Sequence, residues 1–243
     1  MTTLSGALTL ADWAKRVTTD FKIDMIIELL SKENAILQDM LFIEGNLPTG
    51  HKTTVRTGLP SGTWRLLNTG VDQAKSTTAQ ITEGVGNLEL FLQVDKDLAD
   101  LGGQTAAFRE TEVRAAIQGL GQQVATAVMY GNSSTNPEQF MGLSPRYNTV
   151  TTTAAENAWN VLDASGTGSD NTSMWIVVWG PNTIHGIFPK GQPTGLQHKD
   201  LGAAWPVTDS NSKKYMAYID HFKWELGIAL RDWRYAVRIC NID

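Results

Sequence analysis

The chain has 243 residues, 42% of them hydrophobic, enough to bury the core of one large or two modest domains, and global disorder is excluded. Its single cysteine, Cys240, excludes an internal disulfide framework and a cysteine-based zinc cluster, and reads as a small apolar residue of the last strand. The net charge of −5 excludes a nucleic-acid binder built on a basic surface. No apolar run reaches the roughly 18 residues of a membrane span, and no signal pattern opens the chain, so it reads as cytosolic when made and without a membrane partner.

The small, polar residues before Leu10 suit an extended N-terminal arm. Leu10 to Leu41 reads as mainly helical, because Ile23, Ile26, Ile27, Leu30, Ala35, Leu37 and Leu41 recur at three-to-four spacing. Lys52 to Arg56 and Thr63 to Leu67 read as short strands separated by the turn-forming Gly58-Leu59-Pro60-Ser61-Gly62. Ala79 to Val94 reads as the next strand, its second half alternating well enough to bury one face. Two strands alone are marginal in water, so an arm built from them needs a partner surface.

Thr105 to Tyr130 carries the strongest helical pattern, with Phe108, Val113, Ala116, Ile117, Leu120, Val124, Ala127 and Val128 on one stripe and Gly131-Asn132 as its stop. At 1.5 Å per residue it spans roughly 39 Å, the length of a spine across a domain. Gly119 and Gly121 weaken its middle by up to about 1 kcal/mol each, which hints at close packing against another element. Thr149 to Ser173 is a connector with one short element around Trp159 to Leu162. Met174 to Trp179, Tyr215 to Tyr218, Phe222 to Leu230 and Arg234 to Ile239 read as strands, with Trp175, Trp179, Trp224 and Trp233 in the core. The order of elements fits an α+β chain better than a repeating βαβ one.

Charge is distributed unevenly. From Leu47 to Ala79 four basic residues (Lys52, Arg56, Arg65, Lys75) face one acid (Asp72), a local +3. From Gln80 to Ala115 seven acids (Glu83, Glu89, Asp95, Asp97, Asp100, Glu110, Glu112) face Lys96, Arg109 and Arg114, a local −4. A basic arm beside an acidic body suggests that one copy's arm lies on the next copy's body. Trp64, Leu66 and Leu67 form an apolar cluster without a core-like context, and Trp64 reads as an interface residue.

Signals for catalysis are weak. His51, His185, His198 and His221 lack the close spacing of a helical metal pair, and Asp220-His221 comes without a nucleophile-elbow pattern. Gly166-Thr-Gly-Ser-Asp-Asn has no lysine and no strand-then-helix context, so it reads as a flexible loop rather than a phosphate cradle. No catalytic residue, cofactor or metal is assigned.

Five stretches together carry a resemblance: Gly50-His-Lys-Thr-Thr-Val-Arg-Thr-Gly-Leu-Pro, Thr63-Trp-Arg-Leu-Leu-Asn, Val94-Asp-Lys-Asp-Leu-Ala-Asp, Phe140-Met-Gly-Leu, and Trp224 to Arg238. In these the chain resembles the major capsid proteins of tailed bacteriophages. The resemblance implies an N-terminal arm and first helix over residues 1–45, an extended two-stranded loop over 46–95, and a peripheral domain with the spine helix over 96–148. An axial domain over 149–225 and returning strands of the peripheral domain over 226–243 complete it.

The resemblance also implies function: pentamers and hexamers of one chain closing into an icosahedral shell around double-stranded phage DNA, in a virion assembled in the host bacterial cytoplasm. The expected partners are further copies of the chain, a separate scaffolding protein (because only a short arm precedes the first helix), a portal and a cementing protein, with non-specific contact to DNA. Some members cross-link a loop lysine to a neighbour's asparagine. Lys75 lies in the loop, but the common asparagines and glutamates single out no partner for it. The expected interface set is Trp64, Leu66 and Leu67 for burial, with Arg56, Arg65 or Lys75 pairing to Glu83, Glu110 or Glu112 of a neighbour. The rival readings are an encapsulin, a compartment shell of the same fold around an enzyme, and, more distantly, a hydrolase using His185 or His221.

Overall fold

In the computed structural model, residues 8–10, 12, 34–151, 153, 156–209 and 211–243 are described. The expected N-terminal arm and most of the helix expected over Leu10 to Leu41 lie outside them; within them that segment ends in a short helix, α1 (Ala35–Asp39). The chain forms two units. One holds Asn87–Thr126, Gly195–Glu225 and the described residues before 39; the other holds Asp39–Gly86, Ala127–Thr194 and Leu226–Asp243.

The first unit is organised by β4 (Gly86–Asp95), α2 (Lys96–Asp100), the helix α3 (Thr105–Tyr130) and the long strand β10 (Lys214–Leu230). Asp95 caps α2 by accepting from the amide of Asp97, so the chain turns directly from strand to helix. The bounds of α3 match the helical periodicity of the sequence, and Phe108, Leu120 and Val124 form its buried stripe. Ile117, expected on that stripe, is exposed instead. Val94, Ala99 and Phe108 form a small core, with Leu8, Leu98 and Tyr218 packed against it. The two strands expected at Tyr215 to Tyr218 and Phe222 to Leu230 are one 17-residue strand, β10. It is flanked by β8 (Gln197–Asp200) and β9 (Trp205–Thr208), both antiparallel to it, and β4 also pairs with it.

In the second unit, β1 (Phe42–Glu44) runs parallel to β7 (Ile184–Phe188), which pairs antiparallel with the end of β10 at Gly227–Leu230. A second sheet places β11 (Ala236–Ile242) between β5 (Val161–Asp163) and β6 (Thr172–Val177). The short element expected near Trp159 is a 3-10 turn over Glu156–Asn160 leading into β5. Tyr147 is fully buried beside these sheets, donating its hydroxyl to the Trp233 carbonyl and meeting Trp175 edge-on. Cys240 is buried in β11, as the sequence suggests. The four tryptophans expected in the core are half-buried instead.

A third, two-stranded sheet belongs to this unit: β2 (Gly50–Gly58) against β3 (Thr77–Gly84). The strand expected over Thr63 to Leu67 does not form. Those residues lie within positions 59–76, which carry no helix or strand: β2 pairs with β3 instead, and Pro60 lacks a backbone donor just before them. The expected strand Ala79 to Val94 is interrupted at Val85, with β3 continuing the arm and β4 turning into the first unit.

Candidate subunit interface

The root of the two-stranded arm is fixed tightly. A Cβ on Gly50 would stand 2.0 Å from the Glu83 carbonyl oxygen, so only glycine permits this approach. The Asn46 side chain brackets Lys52, accepting from its amide at 2.7 Å and donating to its carbonyl at 2.7 Å. Glu83, in register with His51, is 7% exposed and receives both terminal nitrogens of Arg146 at 2.6 Å. Arg146 also donates to the carbonyls of Gly142 and Met141, so the carboxylate sits in a completed socket. Glu83 was expected to meet a basic residue of another copy; its partner is within its own chain.

The far end of the arm is the opposite case. Trp64 is 102% exposed, Leu67 88%, and Leu59 and Leu66 79% each. Local hydrogen bonds shape this tip: Arg65 donates to the Thr69 carbonyl, the Thr69 hydroxyl to the Leu66 carbonyl, and Asn68 turns the chain at φ 65°. Arg56 and Lys75 are exposed. The structure therefore brings Trp64, Arg65, Leu66 and Leu67 together at one end, with Arg56 and Lys75 on its approaches.

The acids expected to face the arm lie on α3. Glu110 is exposed and pairs with Arg114 one turn on, at 2.6 Å; Glu112 is half-buried. Between β4 and the middle of α3 runs an open groove of about 650 Å³, lined by Leu88, Leu90, Ala116, Gly119 and Leu120 together with the polar Glu89, Gln122, Gln123 and Thr126. Among the described residues, and apart from the helix's own backbone, no atom would lie within 4 Å of a Cβ on Gly119 or Gly121, so the close packing expected at these glycines is not seen among them.

The histidines have structural settings. His221 stacks on Phe91 and meets Glu89 at 3.3 Å, while His185 is buried. His198 lies flat on Phe222 and meets the buried Asp220 at 2.9 Å. Asp220 also takes a bond from Arg109, which bridges to Asp200 at 2.7 Å beneath the Tyr218 ring. Arg109 holds the Asp200 carboxyl below its usual range, and the network ties α3 to β8 and β10. Sequence reasoning missed it, since Arg109 and Asp220 are far apart in the chain and only the fold brings them together. Among the described residues no three His, Cys, Asp or Glu side chains gather as metal ligands, and no helix is long and apolar enough to cross a membrane.

The sequence model of the major capsid protein GP7 family matches residues 18–243. Among solved structures, the chain is similar to a chain of bacteriophage Epsilon15, with 36% identity and a TM-score of 0.77 over 100% of this chain and 72% of that one. It is similar in fold alone, at 10% identity, to the SrpI encapsulin of Synechococcus elongatus PCC 7942 (TM-score 0.56, 97% of each chain). The capsid of Myoviridae phage XM1 is likewise similar in fold, at 10% identity (TM-score 0.55, 98% of this chain and 100% of that one). No curated protein matches. An arm finished at its root but bare at its tip is what a subunit needs if its remaining contacts come from other copies, and the chain belongs to the GP7 family of major capsid proteins, building the capsid of a virion from many copies of itself.

Proposed function

We propose that the chain closes, through pentamers and hexamers, into an icosahedral shell around double-stranded phage DNA, and that its work is structural and not catalytic. The observation that carries this is the tip of the arm, where four large apolar side chains stand in solvent with no surface of the described residues to cover them. Burial on a neighbour stabilises by about 1.5 to 3 kcal/mol per large side chain, whereas each exposed ion pair contributes about 0 to 1 kcal/mol. Trp64, Leu66 and Leu67 are thus the anchors, and Arg56, Arg65 and Lys75 set orientation.

The receiving surface we assign is the groove between β4 and α3 of another copy. Leu88, Leu90, Ala116 and Leu120 give it an apolar stretch beside Gln122, Gln123 and Thr126, no described atom stands over Gly119, and Glu89 at its side, with Glu110 and Glu112 earlier on α3, supplies the opposite charge. A heterologous contact of this kind, repeated around an axis, closes rings. Assembly takes place in the host cytoplasm on a separate scaffolding protein, with a portal and a cementing protein as further partners, and contact with DNA is non-specific and salt-sensitive.

Electron microscopy of the chain expressed with its scaffold tests the reading: closed shells are expected, filled with DNA in the infected cell. Shells that load a protein cargo instead would favour a compartment, and a monomer under all conditions would overturn the assignment of the arm.

A further inference from the structure

We propose that His51 and His185 form an acid-operated latch at the root of the arm, closed while both rings are neutral and released when either takes up a proton. His51 is the second residue of β2 and His185 the second of β7. Their rings meet edge to face at 5.8 Å between centroids, with 7% and 1% of each residue exposed. Among the described residues neither ring nitrogen of His51 has a hydrogen-bond partner, and His185 has only a weak one in the Gly180 backbone. Leaving buried polar atoms poorly paired is unfavourable, so the root of the arm is held closed against a standing penalty. A charged ring in the same place costs far more, because little solvent reaches it.

The charges around the pair oppose protonation. Arg231, just beyond β10, acts on both rings, and it is anchored by donating to the Pro181 carbonyl at 2.7 Å. From β3 only Glu83 favours a proton on His51, and its carboxylate is engaged by Arg146. From the turn before β7 the Gly180 backbone weakly favours a proton on His185. From β1 Glu44 is tied to the Gly191 amide. Burial first, then Arg231, holds His51 below its ordinary value, and burial, then Arg231 and His51, hold His185 down to about 4.

Both folded values lie below the ordinary 6.5, so the stability contributed by neutral rings is fully present above pH 6.5 and is lost as pH falls toward about 4. For His185 alone, opening of the root becomes about 20-fold more frequent between about pH 7 and about pH 5. The latch is a property of the subunit. Its consequence in a shell, loosening of the arm from inside its own copy, rests on the arm being the part that reaches a neighbour.

Hydrogen–deuterium exchange on the purified full chain at the two pH values tests this, with rates corrected for their intrinsic pH dependence. Exchange over Gly50–Gly58 and Thr77–Gly84 is expected to rise about 20-fold on acidification, while that over Ala236–Ile242, which holds no histidine, stays level. The double variant His51→Phe, His185→Phe is expected to abolish the rise. No rise in the natural chain, or an equal rise in the variant, overturns the latch, whatever becomes of shell formation. If the variant does not fold, a histidine-ring NMR titration of the natural chain decides: a His185 midpoint well below 6.5 supports the latch, and one at or above it overturns it.

Discussion

The root and the tip of the arm are joined by two strands, yet they solve opposite problems. At the root, Glu83 is enclosed by Arg146, Lys52 is bracketed by Asn46, and Gly50 lets two backbones touch; nearly every strong interaction is completed by the chain itself. At the tip, Trp64 is fully exposed and Leu66 and Leu67 are largely so, and the local bonds of Arg65 and Thr69 shape the loop without covering it. The root belongs to folding and the tip to assembly. A substitution should therefore act on one and spare the other.

The largest effect is expected at the root. Arg146→Ala leaves a buried carboxylate without its partner, and chemical denaturation of the subunit should show a loss of about 3 to 5 kcal/mol. Gly50→Ala should cost about 1 to 3 kcal/mol in the same measurement, since its methyl group meets the Glu83 carbonyl at 2.0 Å. If either variant keeps full subunit stability, the root is not the rigid element described.

At the tip the two readouts should separate. Trp64→Ala is expected to leave denaturation of the subunit within about 0.5 kcal/mol of the natural chain. Assembled particles carrying it should release DNA at a lower temperature. Lys75→Ala should shift that release least of all, because an exposed ion pair contributes about 0 to 1 kcal/mol and is screened by salt. Equal shifts for Trp64→Ala and Lys75→Ala would mean that charge and not burial anchors the arm.

Much of this arrangement was legible in the residues. The three-to-four spacing from Phe108 to Val128, closed by Gly131, marked α3 at its observed bounds, and the apolar cluster at Trp64 stood out because nothing around it read as core. Glu83 was misjudged for a definable reason: a local count of charge sees neighbours in sequence, whereas its partner, Arg146, lies 63 residues away. The strand expected at Thr63 to Leu67 failed for a related one, since strand-like residues form a strand only where another segment pairs with them, and β2 pairs with Thr77–Gly84 instead.

The sequence by itself determined the α+β class, the long helix, the existence of an arm with a basic and apolar far end, and the family. These depend on periodicity, on local charge and on strings of residues, all of which are read along the chain. Only the tertiary structure decided that the arm is β2 against β3 with a bare loop beyond them, that Glu83 is enclosed, and that His51 meets His185 at its root. Pairing, burial and the sign of a pKa shift depend on which distant residues are brought together, and that is set by packing in three dimensions.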